Sequence, residues 1–246
     1  MKQANKEMTI CLVVGLTLGL IAFFTPFTRF IFSPLTTLVH ELGHAFFGWI
    51  YGYPSIPAFD FTYGGGVTMG MQRKIEITYV TYGILLYGLY YLRQNIIPLI
   101  CNIVFLILFI FTSRNEWADI MRIYMGHGTE LLIAAIFLYR GFSGSQTVNG
   151  IERSLYFSCA FFIFAQNIDF AYQLQNNSEF LADYMQGKGD ITHDFHALCL
   201  DHFYKKQIKD VAFFHYFSVF FAAVIGIGFA ALRAYLLDNE FDEEEE

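Results

Sequence analysis

The sequence predicts an all-α fold, a polytopic membrane helix bundle, and three observations lead there. Hydrophobic residues make up 55% of the 246, mean hydropathy is +0.43, and charged residues are only 15%. Soluble domains average about 25% charged. The apolar residues also gather into runs close to the roughly 20 residues that a spanning helix needs. Phe (29) and Tyr (16) are abundant, which suits lipid-facing and interfacial positions. Together these predict an integral, multi-pass protein whose first partner is the lipid bilayer.

Spans are expected at 8–26, 33–52, 76–93, 95–113, 120–140, 154–174 and 211–235. The third and fourth lie close together, so the reading is six to seven transmembrane helices. Lys2 and Lys6 precede the first run, Met8 to Phe24. Thr25-Pro26-Phe27-Thr28-Arg29 follows it instead of a small-x-small cleavage site, so the run reads as an uncleaved anchor. After the second span, Phe59, Phe61 and Tyr63 alternate with shorter residues, and Gly64-Gly65-Gly66 follow. That pattern predicts a short strand, a glycine turn and a second strand, a β-like loop after the second helix. Such a strand edge can take up an extended peptide.

The longest polar stretch is 173–210. The chain reads as one domain over 1–237 and a disordered acidic tail over 238–246. Lysine and arginine counts set orientation. Lys2, Lys6, Arg73, Lys74, Arg114, Lys188, Lys205, Lys206 and Lys209 fall on one side; Arg29, Arg93, Arg140, Arg153 and Arg233 fall on the other. The first side is the richer, which makes the N-terminus cytoplasmic. An odd number of spans then puts the tail outside.

Net charge is −7, much of it from that tail. Nothing is basic enough to suggest nucleic-acid binding. Cys11, Cys101, Cys159 and Cys199 are widely spaced, with no C-x-x-C. Neither a disulfide framework nor a thiolate zinc site follows from them.

The chemistry concentrates in the second span, at His40-Glu41-Leu42-Gly43-His44. This is H-E-x-x-H. On a helix, His40 and His44 lie one turn apart on one face and are able to grip one Zn²⁺. Glu41 is rotated about 100° from His40, towards a coordinated water instead of the metal. Zinc lowers the pKa of such a water to about 7, and a carboxylate can take its proton. Ionisable residues in so apolar a segment usually mark a site.

Two ligands are one short of a catalytic zinc site. Asp194 is the first candidate for the third, because His193 and His196 flank it with hydrogen-bond donors. Asp169, near the end of the sixth span, is the second, with Asn167 beside it as a possible substrate hydrogen bonder. Glu130 is the third. His127, three residues before Glu130, either completes the site or pairs with that carboxylate inside the bundle. His193 is a further alternative. His202 and His215 look ordinary.

H-E-L-G-H in a hydrophobic helix, followed by a glycine-rich β-like loop, resembles the site-2 protease family of intramembrane zinc metallopeptidases. The resemblance covers His40, Glu41 and His44 and, loosely, residues 53–70, about a quarter of the chain. It implies that the histidines bind zinc, that Glu41 is the general base and that a distant aspartate is the third ligand. The family's Asp-Gly pair is absent here, so the motif does not say which aspartate. The expected function is hydrolysis of peptide bonds in or near the bilayer, with a transmembrane segment of a membrane protein as substrate. The alternatives are a zinc-dependent hydrolase of lipid amides or esters, and a metal-binding membrane protein that does not catalyse.

Overall fold

A computed structural model describes residues 2–59, 65–114, 116–187 and 191–244. Among them are nine helices: α1 (Lys2–Phe24), α2 (Pro26–Ile50), α3 (Ile75–Tyr91), α4 (Ile96–Thr112), α5 (Trp117–Ser143), α6 (Gly150–Asn176), α7 (Ser178–Gln186), α8 (Asp194–Asp201) and α9 (Ile208–Glu244). One hairpin, β1 (Ser55–Phe59) and β2 (Gly66–Gly70), sits between α2 and α3. The fold is all-α with a small two-stranded sheet, as the composition predicts.

All seven expected spans are helical. Among the described residues, three segments are long and apolar enough to cross a membrane: Lys6–Phe24, Trp117–Ser143 and Ile208–Leu236. α3 and α4 have 17 residues each, about 25 Å of helix against a hydrocarbon core of about 30 Å. α2 and α6 have the length, but ionisable residues interrupt their apolar runs. α9 continues to Glu244, where a disordered tail was expected from residue 238. A helix already nucleated propagates readily through glutamates, which are good helix formers.

The chain folds into two compact units. One comprises Met1–Thr36, Thr129–Met185 and Gln207–Glu246; the other comprises Thr37–Gly128 and Gln186–Lys206. Their boundaries fall inside α2 and α5, at the end of α7 and between α8 and α9. No linker composition marks them, and the sequence accordingly reads as one domain.

In the first unit, α1 packs against α6 through Gly15 and Gly19, four residues apart. A Cβ at Gly15 would collide with Phe157 Cβ and lie 2.7 Å from the Ser154 carbonyl; one at Gly19 would lie 2.7 Å from the Ser158 carbonyl. Glycines at this spacing let two backbones approach. The unit's core gathers Phe23, Leu131, Ala134, Leu138, Phe157, Ala160 and Val219. α1 stops because Pro26 cannot donate to it and disfavours helical backbone at Thr25. Pro26 then serves as the first residue of α2. Pro34 inside α2 leaves the Phe30 carbonyl without its ladder donor, and the Ser33 hydroxyl donates to that oxygen at 3.0 Å.

In the second unit, α2 ends in a Schellman motif. Gly52 has φ +89°, Tyr53 N–H donates to the Gly48 carbonyl (2.8 Å), and Gly52 N–H donates to that of Trp49 (3.1 Å). This turn needs a left-handed residue, which glycine supplies at least cost. It sends the chain back along α2. The Trp49 indole N–H then donates to the Ser55 carbonyl at 2.9 Å, tying down β1. The strands are antiparallel, with Ser55 opposite Gly70 and Phe59 opposite Gly66. The hairpin is as expected but starts earlier; Phe61 and Tyr63 lie outside the described residues. Phe47, Tyr51, Leu85, Phe109 and Ala118 form this unit's core.

The α1–α6 contact yields a first prediction. Gly15→Ala overpacks a backbone-to-backbone interface and is expected to cost about 1–3 kcal/mol. Gly83 on α3 has nothing within 4 Å of an added Cβ, so Gly83→Ala is expected to be neutral or slightly stabilising. Thermal denaturation in detergent compares the two, with a lowered midpoint expected for Gly15→Ala alone.

Candidate metal centre

α2 sets His40 and His44 one turn apart, and their Nε2 atoms stand 3.0 Å from each other. The rings meet edge to face, centroids 4.7 Å apart. His44 Nδ1 is 2.8 Å from the backbone carbonyl of Arg122 on α5. A carbonyl only accepts, so Nδ1 carries a proton, and in the neutral ring that leaves the Nε2 lone pair for a ligand role. This is the outer support usual for metal-binding histidines.

Asp194 begins α8, 150 positions after His44 in the chain. Its Oδ2 lies 3.0 Å from His40 Nε2 and 3.1 Å from His44 Nε2. The polar stretch around it had suggested an extended loop. Instead α8 buries Phe195 and Leu198 completely. Phe195 stacks at 11° on Tyr124 and packs 4.9 Å from the His127 ring. Burying that phenylalanine, roughly 1.5–3 kcal/mol, helps fold Asp194 back onto α2. Burial alone would push the Asp194 carboxyl up, but the charge and hydrogen bonds of His44 and His40 outweigh it. They hold the group well below the usual carboxylate range, in the ionised form that ligation requires.

The three atoms thus form a nearly equilateral triangle with sides of 3.0, 3.0 and 3.1 Å. Tetrahedral zinc with bonds of about 2.0–2.1 Å sets its donors roughly 3.3 Å apart. The triangle comes within a few tenths of an ångström of that figure. The ligand atoms of His40, His127 and Asp194 also lie within 4.8 Å of one another, a group able to hold a metal ion. Gly126 on α5 keeps the space beside the nitrogens open. A Cβ there would sit 2.7 Å from His40 Nε2 and closer still to His44 Nε2. The residues present therefore fit a divalent ion with nitrogen and oxygen donors.

Glu41, one residue after His40 and turned away from it, meets the hairpin. It is 7% exposed. The Thr68 hydroxyl of β2 donates to Glu41 Oε2 at 2.6 Å, with the Glu41 carbonyl 3.1 Å away. A Cβ at Gly66 would fall 2.5 Å from Glu41 Oε1. β2 thus lies directly against the carboxylate, and a glycine makes that approach possible.

The other candidate ligands have different employment. Asp169 Oδ2 pairs with Arg29 Nη2 at 2.9 Å. Glu130 Oε2 accepts from Asn167 Nδ2 at 2.7 Å, and Asn167 Oδ1 is 2.9 Å from His215 Nε2. These three buried polar groups belong to the first unit. Asn167 therefore serves a buried polar chain instead of a substrate, and His215, fully buried, belongs to that chain. His193 is the N-cap of α8. His127 does reach the centre, with Nε2 4.0 Å from Asp194 Oδ2 and its ring 4.5 Å from that of His40. Thr68, Gly66 and the Arg122 carbonyl escape a sequence reading; Gly126, with Gly128 around His127, reads there only as a place where another helix can come close.

Compared with known protein families, curated proteins and solved structures, the chain matches none. The candidate metal centre rests on its own geometry.

Gly126→Ala puts a methyl against both imidazole nitrogens. The expected result is a folded protein whose zinc affinity falls at least tenfold, the lower end of the usual effect of disturbing a ligand's surroundings. Competition with a chromophoric chelator reads it, and Gly83→Ala should bind as the parent does.

Proposed function

We propose that this protein is a multi-pass intramembrane zinc metallopeptidase similar to the site-2 proteases. The observation that carries the reading is the Asp194 carboxylate, which stands within 3.1 Å of both H-E-x-x-H imidazoles. His₂-carboxylate is a hydrolytic zinc ligand set. His40, His44 and Asp194 would hold the ion. When bound, zinc supplies Lewis acidity, polarising a carbonyl and lowering the pKa of water to about 7.

The protein's own residues do the rest. Glu41 is the general base. It takes the proton of the attacking water on a carboxylate oxygen and returns it to the leaving amine nitrogen. Thr68 fixes the carboxylate by donating to Oε2, so Oε1 is the oxygen free to receive the proton. The Arg122 carbonyl holds the His44 ring in the tautomer that presents Nε2.

A peptide substrate is favoured over a lipid amide or ester by the position of the hairpin. A strand pair bonded to the base through Thr68 offers backbone donors and acceptors beside the reacting amide, and an extended peptide pairs with such an edge. A membrane-spanning substrate would have to unwind first, because helical amides are already hydrogen-bonded. On the lysine and arginine distribution, the N-terminus is cytoplasmic.

Glu41→Gln is expected to keep one equivalent of zinc while hydrolysis of a transmembrane substrate falls about 10²–10⁴-fold, the usual contribution of a general base. Asp194→Ala and His40→Ala are expected to lose the metal. Elemental analysis of purified variants, together with cleavage of a single-span substrate in liposomes, checks both. Full cleavage by Glu41→Gln removes it as base, and undiminished zinc in Asp194→Ala removes the assigned third ligand.

A further inference from the structure

Four groups that commonly bind metals crowd the centre, yet their spacing is uneven. His40, His44 and Asp194 stand 3.0–3.1 Å apart, close to the edge of a tetrahedral zinc site. His127 Nε2 is 4.0 Å from Asp194 Oδ2. With His40 and Asp194 it is a group able to hold a metal ion, but its wider spacing fits the roughly 3.3 Å edge of a tetrahedral site less well than the His40, His44 and Asp194 triangle does. It is still near enough to hydrogen-bond an oxygen lying between it and the ion, since a polar gap beyond about 3.5 Å commonly spans one intervening oxygen.

We propose that His127 is a catalytic residue, whose Nε2–H donates to the substrate carbonyl oxygen as that oxygen gains negative charge. The proposal rests on the hydrolase reading above and adds a role for a histidine that the H-E-x-x-H motif does not contain. His127 is held for this task. Its ring meets the His40 ring edge to face, 4.5 Å between centroids at 79°. On its other contact it packs 4.9 Å from Phe195, a fully buried residue next in sequence to Asp194. Any position that brings Asp194 to the imidazoles therefore brings the packing partner of His127 with it. A donor fixed in this way needs no reorganisation when charge develops, which is where such groups gain their effect. Glu41 and His127 then divide the work: the α2 carboxylate, held by Thr68 of the hairpin, handles the water proton, and the imidazole on α5 receives the oxyanion.

The test uses the full-length protein loaded with Co²⁺, whose visible bands report coordination, and acetohydroxamate as an oxygen-anion probe. His127→Ala is expected to retain one equivalent of Co²⁺ with unchanged bands, and to bind acetohydroxamate at least tenfold more weakly. His127→Gln, which places an N–H donor near the same point, is expected to recover most of that affinity. In cleavage of the transmembrane substrate, kcat should fall about 10²–10³-fold for His127→Ala with KM little changed, as for loss of one oxyanion donor. Loss of Co²⁺ or altered bands in His127→Ala would make the residue a ligand and overturn the proposal. Unchanged hydroxamate affinity would make it a bystander and also overturn it. If the parent protein cleaves no peptide, the hydrolase reading fails separately, because the hydroxamate titration depends only on the loaded centre.

Discussion

The candidate site depends on one carboxylate reaching two imidazoles. His40, His44 and Asp194 converge at 3.0–3.1 Å, and each is placed by a different device. The histidines share a helical face because they are four residues apart. The His44 ring is oriented by the Arg122 carbonyl. Asp194 arrives because α8 buries Phe195 and Leu198, so apolar burial delivers a polar group. Without that burial, the desolvation of an anion would oppose its position. With it, the imidazoles hold the carboxyl ionised.

Close backbone approach is the second theme, and glycine is its instrument. Gly126 lets α5 lie against the imidazoles, Gly66 lets β2 lie against Glu41, and Gly15 with Gly19 lets α1 lie against α6. In a membrane the hydrophobic effect gives little preference for helix against helix over helix against lipid, so packing distance decides association. The same residue type thus serves both the bundle and the centre. Gly52 acts differently, through a positive φ that ends α2 and returns the chain as β1.

Ionisable groups within the fold divide into two sets with different chemistry. In the first unit, Arg29 pairs with Asp169, and Glu130, Asn167 and His215 form a chain of hydrogen bonds. Each satisfies its neighbours, as buried polar groups must. In the second unit, the ring nitrogens of His40 and His44 and the Asp194 carboxylate converge on one another, an arrangement able to hold a cation. That contrast separates structural polar groups from the candidate site better than burial does, since Glu41 and Glu130 are equally buried at 7%.

The sequence by itself determined the all-α class, the helical runs, the hairpin after the second helix and the pair His40 and His44. These are local properties: apolar length, alternation and a four-residue spacing fix them without reference to distant residues. It also ranked Asp194 first among the carboxylates, from the histidines beside it. Only the tertiary structure decided that Asp194 meets the imidazoles while Asp169 and Glu130 bind elsewhere, because each outcome joins residues 37 to 154 positions apart. Only the tertiary structure, likewise, gave Gly126 and Thr68 their roles. A glycine reads as a break or a packing site until the group it makes room for is known. A strand threonine carries no signal until a carboxylate folds against it.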